Sequence, residues 1–286
     1  MSSTLTILGC GYIGSALAKV ALEKKWKVSA LTRNEETGKE LEGMGVENVI
    51  VSRLDSEEWH PYLDPNQDFV VNCVGAFSPS LDGYVTSYIE GQKSAMKWVG
   101  SGKVNSYLFT SSCSVYPQTG RKLVDETASC AGVSEKGGLL LAAEGLSFPP
   151  PSSIGRSFVL RLGGIYGPER HLLANKVKDG TTMDGNADRI LNLIHRDDAV
   201  SAIFGCLLSD ENNLGRIYNL TDGSPYARGE IVNWLANKFE VSPPSFSEDD
   251  KDDTPNRKIS SQRIMEELNW SPHYSSFIKG YESLLG

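Results

Sequence analysis

Three glycines near the start of the chain have a spacing that suits phosphate binding. Gly9, Gly11 and Gly14 stand in the stretch ILGCGYIG, after the apolar run TLTIL and before a helical pattern. In this G-x-G-x-x-G pattern the first glycine allows a tight turn, the second lets the backbone approach a pyrophosphate, and the third lets helix and strand pack closely. Free N–H groups at the helix start then face the phosphates. We therefore predict that Gly9, Gly11, Tyr12, Ile13 and Gly14 bind a dinucleotide.

The end of the second predicted strand, ALTRNEE, selects between the two nicotinamide dinucleotides. A carboxylate there would bind the ribose 2′-hydroxyl of NAD, but this chain has Arg33 at that position, after Thr32. A guanidinium suits a 2′-phosphate because it offers paired donors. We therefore expect a preference for NADP(H), with NAD(H) still possible. The alternative is a surface arginine that only accompanies Glu35 and Glu36.

Further cofactor contacts are expected where later strands end. Asp55, after the third strand, is placed to accept a hydrogen bond from the adenine amino group. The turn NCVGAF after the fourth strand carries small residues that leave space for a ribose, so Val74 and Gly75 are expected beside the cofactor. Ser111, at the end of the fifth strand, completes the predicted cofactor site.

The composition is typical of a globular protein with an acidic surface. The chain has 286 residues, of which 40% are hydrophobic and 22% charged, and its net charge is −8. We expect no binding to nucleic acid or to an acidic membrane, because both attract basic surfaces. The sequence has neither a run of about 20 apolar residues nor a signal-peptide pattern. A cytoplasmic protein is expected, with a removed organelle leader still possible.

No residue pattern predicts a metal site. The acidic run SEDDKDD (247–253) is interpreted as a solvated loop. The cysteines lack paired metal-type spacing and are interpreted as reduced thiols in or near the core of an intracellular protein. They are Cys10, Cys73, Cys113, Cys130 and Cys206.

The order of apolar runs predicts an α/β fold. Six nearly continuous Val, Ile and Leu runs alternate with helical patterns up to residue 165, which indicates a parallel sheet covered on both faces. We predict a Rossmann-type doubly wound domain over residues 1–165. Residues 166–286, with more Gly and Pro and shorter strands, are predicted to form a smaller substrate-side lobe partly packed on the sheet.

Several later segments resemble one family. FTSSCSVYP (109–117), VLRLGGIYGPER (159–170), NLIHRDDAV (192–200) and IYNLTDGSP (217–225) are similar in order and spacing to the extended short-chain dehydrogenase/reductases, the NAD-dependent epimerase/dehydratase family. The resemblance implies a Rossmann-type domain, a smaller C-terminal lobe and a substrate site between them. It also implies a catalytic Ser, a Tyr and a Lys four residues after the Tyr.

The catalytic set that the resemblance implies is incomplete here. Ser112 matches its serine, whereas Lys136 falls at the tyrosine position and Leu140 at the lysine position. No Tyr occurs from residue 117 to residue 165, whatever the register. In this respect, and in its glycine loop, the chain resembles the atypical branch of the superfamily.

Three side chains are candidates for the missing acid, each with a structural alternative. Tyr116 lies near a strand end, and its structural alternative is a half-buried ring that supports the loop. Lys136 would act if burial beside the cofactor lowered its pKa, and is otherwise a solvated lysine at a helix start. His195 titrates near pH 7 but is more often a residue that holds its loop.

Other polar residues have weaker functional interpretations. Asp197 and Asp198 are expected to begin a helix and not to form a catalytic dyad. Cys10 and Cys113 are expected to be inert small residues, although a helix N-terminus could activate either thiol. Three arginines are candidates for binding an anionic substrate, with a structural ion pair as the alternative for the first: Arg161, Arg170 and Arg196.

The sequence leaves three functions open. The first is an NADP(H)-dependent oxidoreductase that acts on a small carbonyl, alcohol or sugar-like substrate. The second is a nucleotide-sugar epimerase or dehydratase, and the third is a non-catalytic protein that binds a partner according to NADP(H) state. A homodimer is possible through two long helices near residues 82–101 and 134–147.

Overall fold

The computed structural model describes residues 2–148, 150–209, 215–247 and 255–285, so nearly all of the acidic run at 247–253 lies outside the described residues. The strands are β1 (Thr4–Leu8), β2 (Lys27–Thr32), β3 (Asn48–Val51), β4 (Gln67–Asn72), β5 (Val104–Ser112), β6 (Lys122–Val124), β7 (Ile154–Leu162), β8 (Gly164–Tyr166), β9 (Ile190–Leu191), β10 (Leu193–His195), β11 (Ile217–Leu220), β12 (Tyr226–Ala227) and β13 (Arg257–Ile259). The α-helices are α1 (Tyr12–Glu23), α2 (Glu35–Met44), α3 (Leu81–Tyr84), α4 (Gly91–Val99), α5 (Glu135–Gly145), α6 (Leu172–Lys178), α7 (Arg196–Leu207), α8 (Arg228–Phe239), α9 (Gln262–Glu267) and α10 (Phe277–Leu285).

A seven-stranded sheet in the order β11-β7-β5-β4-β1-β2-β3 confirms the predicted Rossmann-type fold. β1 pairs in parallel with both β2 and β4, and these pair in parallel with β3 and β5. The chain order therefore reverses beside β1, where open α/β sheets bind their ligands at the carboxyl ends of the strands. The glycine loop follows β1 and so lies at this switch point.

The six predicted strands of the first half are all present in the sheet, and β11 adds a seventh. The sequence analysis assigned the four residues of β11 to the smaller lobe, because they follow residue 165. The long helix expected near residues 82–101 also differs from expectation. It consists of α3, a π-helical turn over Val85–Glu90, and α4. Such π-turns often occur at functional sites.

The chain forms two compact units, each made from three segments. The first contains residues 1–115, 133–161 and 200–218, and the second contains residues 116–132, 162–199 and 219–286. A single boundary was expected after residue 165. Residues 116–132 precede that boundary but belong to the second unit, and residues 200–218 follow it but belong to the first. The assignment of the units as cofactor and substrate domains stays a prediction.

The first unit has a core of aliphatic and aromatic side chains beneath its helices. Trp59 and Trp98 are buried with ring centroids 5.2 Å apart, and each indole N–H donates to a backbone carbonyl. Gln92 is fully buried, and its amide joins Asn72 to Ser147. These hydrogen bonds satisfy polar groups that would otherwise destabilise the core.

The second unit has its own core and three two-stranded sheets. β10 pairs with β8, β12 with β9, and β13 with β6. The pairing of β13 with β6 joins residues more than 130 positions apart in the sequence. Its core includes Tyr166, Phe277 and Tyr281 with aliphatic residues of α6 and α8.

No helix of the described residues is long and apolar enough to cross a membrane.

Candidate functional site

Gly9 has the conformation that the first glycine of the loop requires. Its φ is +74°, and a Cβ at this position would lie 2.5 Å from the Cα of Val74. Backbone hydrogen bonds tie the adjoining positions to the sheet, because Cys10 N donates to Leu31 O and Cys73 N donates to Leu8 O. The loop is therefore fixed between the ends of β2 and β4.

Gly14 packs α1 closely against the sheet, as the sequence predicted. A Cβ at Gly14 would lie 3.1 Å from the Ile7 side chain and from the Cys10 sulfur, and 3.2 Å from the Cys73 sulfur. The two thiols consequently serve as small packing groups. Burial raises the pKa of the Cys10 thiol to about 12, which favours the predicted inert role.

Gly11 and Gly75 border open space. A Cβ at Gly11 would have one heavy atom within 4 Å, the Gly9 carbonyl oxygen at 3.9 Å, and a Cβ at Gly75 would have none within the part of the chain that the structure describes. No side chain caps the start of α1, and its first turn carries no acidic residue. The loop thus has the open backbone and the positive helix end that a pyrophosphate needs, which fits a dinucleotide.

Arg33 and Arg53 both contact the ring of Phe77. The guanidinium carbons lie 4.8 Å and 5.3 Å from the ring centroid, respectively. Arg53 donates from Nε and Nη2 to the two oxygens of Asp55, at 3.0 and 2.8 Å. Arg33 is exposed, and its side chain makes neither a hydrogen bond nor an ion pair with any residue that the structure describes. Thr32, just before it, is buried.

Ser111 belongs to a buried polar network. Its hydroxyl donates to Glu144 Oε1 at 2.6 Å, and the Arg161 guanidinium bridges both oxygens of the same carboxylate. The Arg161 and Glu144 side chains are 6% and 4% exposed, so the pair is desolvated. This result confirms the structural alternative for Arg161 and connects β5, α5 and β7.

Ser112 and Lys136 lie in the same unit. Ser112 Oγ accepts a hydrogen bond from Ser114 N at 3.1 Å. Gly137, next to Lys136, is tight against this turn, since a Cβ there would lie 3.5 Å from Ser114 O. The start of α5, capped by Ser134, is therefore held against the segment that follows β5.

Lys136 is exposed and contacts an aromatic ring that the sequence analysis overlooked. Its Nζ lies 5.6 Å from the centroid of Tyr84, at the end of α3. Tyr84 in turn packs edge-on against Tyr88, with centroids 5.2 Å apart. Leu140, at the position that the family gives to lysine, is buried. A phenol thus lies beside Lys136, but it comes from a different helix.

Tyr116 and His195 belong to the second unit, and both are buried. The Tyr116 hydroxyl donates to Asn219 Oδ1 at 2.8 Å, which favours the loop-supporting role over proton donation. His195 Nδ1 accepts from the backbone N–H of Asp197, and burial lowers the pKa of His195 to about 4. The imidazole is therefore neutral at pH 7, and a catalytic role for either residue stays a prediction.

The remaining polar candidates have separate environments. Asp197 and Asp198 lie in the first turn of α7, as expected, but Asp198 accepts from the backbone N–H groups of His273 and Tyr274. Arg196 donates to Asp197, and Arg170 is exposed. Cys113 is buried and donates to Arg161 O, as expected of an inert thiol.

No group of His, Cys, Asp and Glu that could bind a metal ion occurs within residues 2–148, 150–209, 215–247 and 255–285.

The sequence analysis missed Arg53, Phe77 and Tyr84. Arg53 precedes Asp55 by two residues after β3, and this proximity to a predicted site residue was a usable signal. Phe77 lies two residues after Gly75 in NCVGAF, where small residues were the expected cofactor contacts. Tyr84 escaped because tyrosines were sought between residues 117 and 165, on the helix where the family places one.

Residues 5–134 match a family model described as the NAD dependent epimerase/dehydratase family. A comparison with curated protein sequences found no significant match.

Similar solved structures include a candidate NAD-dependent epimerase/dehydratase of Methylobacillus flagellatus. It is 24% identical, with a TM-score of 0.82, and the alignment covers 100% of this chain and 98% of that chain. UDP-glucuronic acid 4-epimerase of Bacillus cereus, in complex with UDP-glucuronic acid and NAD, is 19% identical with a TM-score of 0.84 and coverages of 98% and 97%. dTDP-glucose 4,6-dehydratase of Bacillus anthracis, in complex with NAD, is 18% identical with a TM-score of 0.81 and coverages of 99% and 96%. At these identities the likeness shows the fold.

Proposed function

Because residues 5–134 match the model of the NAD dependent epimerase/dehydratase family, we propose that the chain is a member of this family and an NADP(H)-dependent oxidoreductase acting on a small carbonyl, alcohol or sugar-like substrate. The observation that carries the proposal is the glycine loop together with the guanidinium at the end of β2. Gly11 borders open space, and Arg33 lacks a hydrogen-bond acceptor within the described residues. These features suit a pyrophosphate and a 2′-phosphate, respectively.

The choice of NADP(H) over NAD(H) depends on charge. Two of the similar structures named above, the UDP-glucuronic acid 4-epimerase and the dTDP-glucose 4,6-dehydratase, hold NAD, so the fold itself is compatible with the unphosphorylated cofactor. In this chain the residue after β2 is a cation, which would favour a phosphate and would offer no acceptor to a ribose 2′-hydroxyl. The proposal is therefore specific to Arg33 and does not follow from the fold.

The bound cofactor would supply the hydride. The protein must therefore bind and orient the cofactor and the substrate, and deliver a proton to the substrate oxygen. Gly9, Gly11 and Gly14 would hold the cofactor's pyrophosphate against α1. Ser112 would offer a hydroxyl to the substrate oxygen. Lys136 lies in the same unit, but its exposure favours the solvated-lysine alternative over proton transfer.

The test compares the dissociation constants of NADPH and NADH by calorimetry. The wild-type protein should bind NADPH at least about tenfold more tightly, and Arg33→Ala should remove this ratio with little effect on NADH. Lys39→Ala, which removes a neighbouring exposed cation of α2, is the matched control and should keep the ratio. Equal binding of both cofactors by the wild type would overturn the NADP(H) preference.

Turnover is tested by NADPH oxidation at 340 nm with small aldehydes, ketones and nucleotide sugars. The proposed reductase should oxidise NADPH with at least one carbonyl, and Ser112→Ala should lower kcat. Tight NADPH binding without turnover on any of these substrates would contradict an enzyme and favour a protein that senses NADP(H) state.

A nucleotide-sugar epimerase or dehydratase is the second candidate. It is favoured by the likeness to the UDP-glucuronic acid 4-epimerase and the dTDP-glucose 4,6-dehydratase. Conversion of a nucleotide sugar without net consumption of NADPH, followed by chromatography of the sugar product, would distinguish this activity from the reductase.

A further inference from the structure

We propose that Arg33, Arg53 and Phe77 together form the recognition site for an adenosine 2′-phosphate group, with Arg53 as its second cation and the Phe77 ring as the surface for the base. This inference rests on the proposed NADP(H) binding and adds two residues to it. Neither Arg53 nor Phe77 belongs to the glycine pattern or to the end of β2.

The sheet brings the two arginines to the same edge. In the parallel pairing of β2 with β3, Thr32 lies opposite Val51. Ser52 N then donates to Thr32 O, so the two chains remain side by side just beyond the strands. Arg33 and Arg53 follow these paired positions by one and two residues, at the carboxyl ends of their strands.

Phe77 reaches this edge from the segment after β4. Its backbone N–H donates to the buried Ser87 hydroxyl at 2.7 Å, which fixes the main chain of the segment. The ring itself is 55% exposed, although both guanidiniums lie on it. A fixed backbone with an exposed aromatic ring suits a planar ligand better than a core contact.

The charges at this edge favour an anion. Asp55 forms an ion pair with Arg53, whereas Arg33 forms no ion pair with a carboxylate among the described residues. Arg33, Arg53 and Asp55 together therefore carry one net positive charge. This is notable in a chain whose net charge is −8. Glu35 and Glu36 are exposed next to Arg33 and reduce the field without pairing with it.

Arg53 remains able to donate while it binds Asp55. The pair with the carboxylate uses Nε and Nη2, and a guanidinium has five N–H donors, so both N–H groups of Nη1 remain. The carboxylate also holds the guanidinium in one orientation. Two guanidiniums beside one aromatic ring are thus the features that a phosphate monoester joined to a planar base requires.

The experiment uses adenosine monophosphates, which carry the base and one phosphate but no nicotinamide. We expect the wild-type protein to bind 2′-AMP more tightly than 5′-AMP in calorimetry. Arg53→Ala should lower the 2′-AMP affinity at least about fivefold with little change for 5′-AMP, whereas Phe77→Ala should weaken both. Lys39→Ala is the control for loss of one nearby positive charge, and thermal unfolding verifies that each variant is folded.

A double variant separates attraction by Arg53 from repulsion by Asp55. Arg53→Ala leaves the Asp55 carboxylate unpaired, which by itself would repel a phosphate. Arg53→Ala combined with Asp55→Asn removes this repulsion and should still bind 2′-AMP weakly. Wild-type affinity in the double variant would overturn the role of Arg53.

The NADPH-to-NADH affinity ratio gives the same comparison with the complete cofactors. If Arg33→Ala abolishes the ratio while Arg53→Ala keeps it, and Phe77→Ala leaves the affinity for both cofactors unchanged, the three-residue site is overturned and the proposed function stands. If the wild-type protein shows no preference for NADPH, the proposed NADP(H) specificity fails first, and this inference with it.

Discussion

At the scale of single residues, burial decides the protonation of the polar groups in the second unit. His195 is neutral because burial lowers its pKa to about 4. Asp222 is buried as well, and burial raises the pKa of its carboxyl to about 7, with the Asp198 carboxylate raising it further. The two groups have opposite effects on stability between pH 4 and pH 6.5.

Asp222→Asn is expected to remove the decrease in folding stability that ionisation of Asp222 causes as the pH rises. The folded protein keeps the Asp222 proton up to about pH 7, whereas the unfolded chain releases it near pH 4, so ionisation costs folding free energy as the pH rises through this window. The amide oxygen can still accept the N–H of Ser224. The free energy of unfolding should be measured with urea at pH 5 and at pH 8. Relative to the wild type, that of the variant should increase by on the order of 3 kcal/mol from pH 5 to pH 8. A constant difference between wild type and variant would show that Asp222 titrates normally.

At the scale of elements, the glycine loop combines two requirements that the sequence pattern does not separate. Gly9 is required by the fold, because its φ is positive and its neighbour is the Val74 backbone. Gly11 faces open space, and its φ of −114° is negative, although its ψ of −138° lies outside the helical and extended regions. The open space beside Gly11 suits an approaching ligand.

Substitutions in the loop should separate stability from binding. Gly9→Ala is expected to destabilise the protein by about 2 kcal/mol or more, because a Cβ there is strained and overlaps Val74. Gly11→Ala should destabilise the protein less than Gly9→Ala does, because no atom crowds the added Cβ, and should weaken NADPH binding at least about tenfold. Gly43→Ala in α2, where a Cβ meets no atom within 4 Å among the described residues, is the control for both measurements. Unimpaired NADPH binding by Gly11→Ala would argue against cofactor binding at this loop.

At the scale of the whole molecule, the two units each have their own core, and self-association stays a proposal. The face expected to pair in a homodimer includes α3, the π-helical turn and α5. Leu81 and Val85, one turn apart on this face, are 40% and 37% exposed. Exposed aliphatic side chains at this spacing are consistent with a helix that packs against a partner.

Light scattering after size-exclusion chromatography should give twice the mass of the chain. Val85→Glu should shift the protein to a monomer at micromolar concentration, because it places a charge on the proposed seam. Leu123→Glu, at an exposed leucine of β6, should leave the mass unchanged. A wild-type mass equal to one chain would exclude the dimer under these conditions.

The sequence by itself determined the sheet, the glycine loop and the resemblance to a family. Strands buried on both faces need nearly continuous apolar runs, and Gly9 and Gly14 are required by local geometry, so both signals are visible in neighbouring residues. Only the tertiary structure decided which polar side chains are available for chemistry. Tyr116 and His195 resemble catalytic residues in the sequence, but the fold buries them in the second unit. Arg53 and Phe77 matter because they lie beside Arg33, and Tyr84 matters because it lies beside Lys136. In each case the partner is distant in the sequence. Such contacts depend on the packing of distant segments, and no local pattern records them.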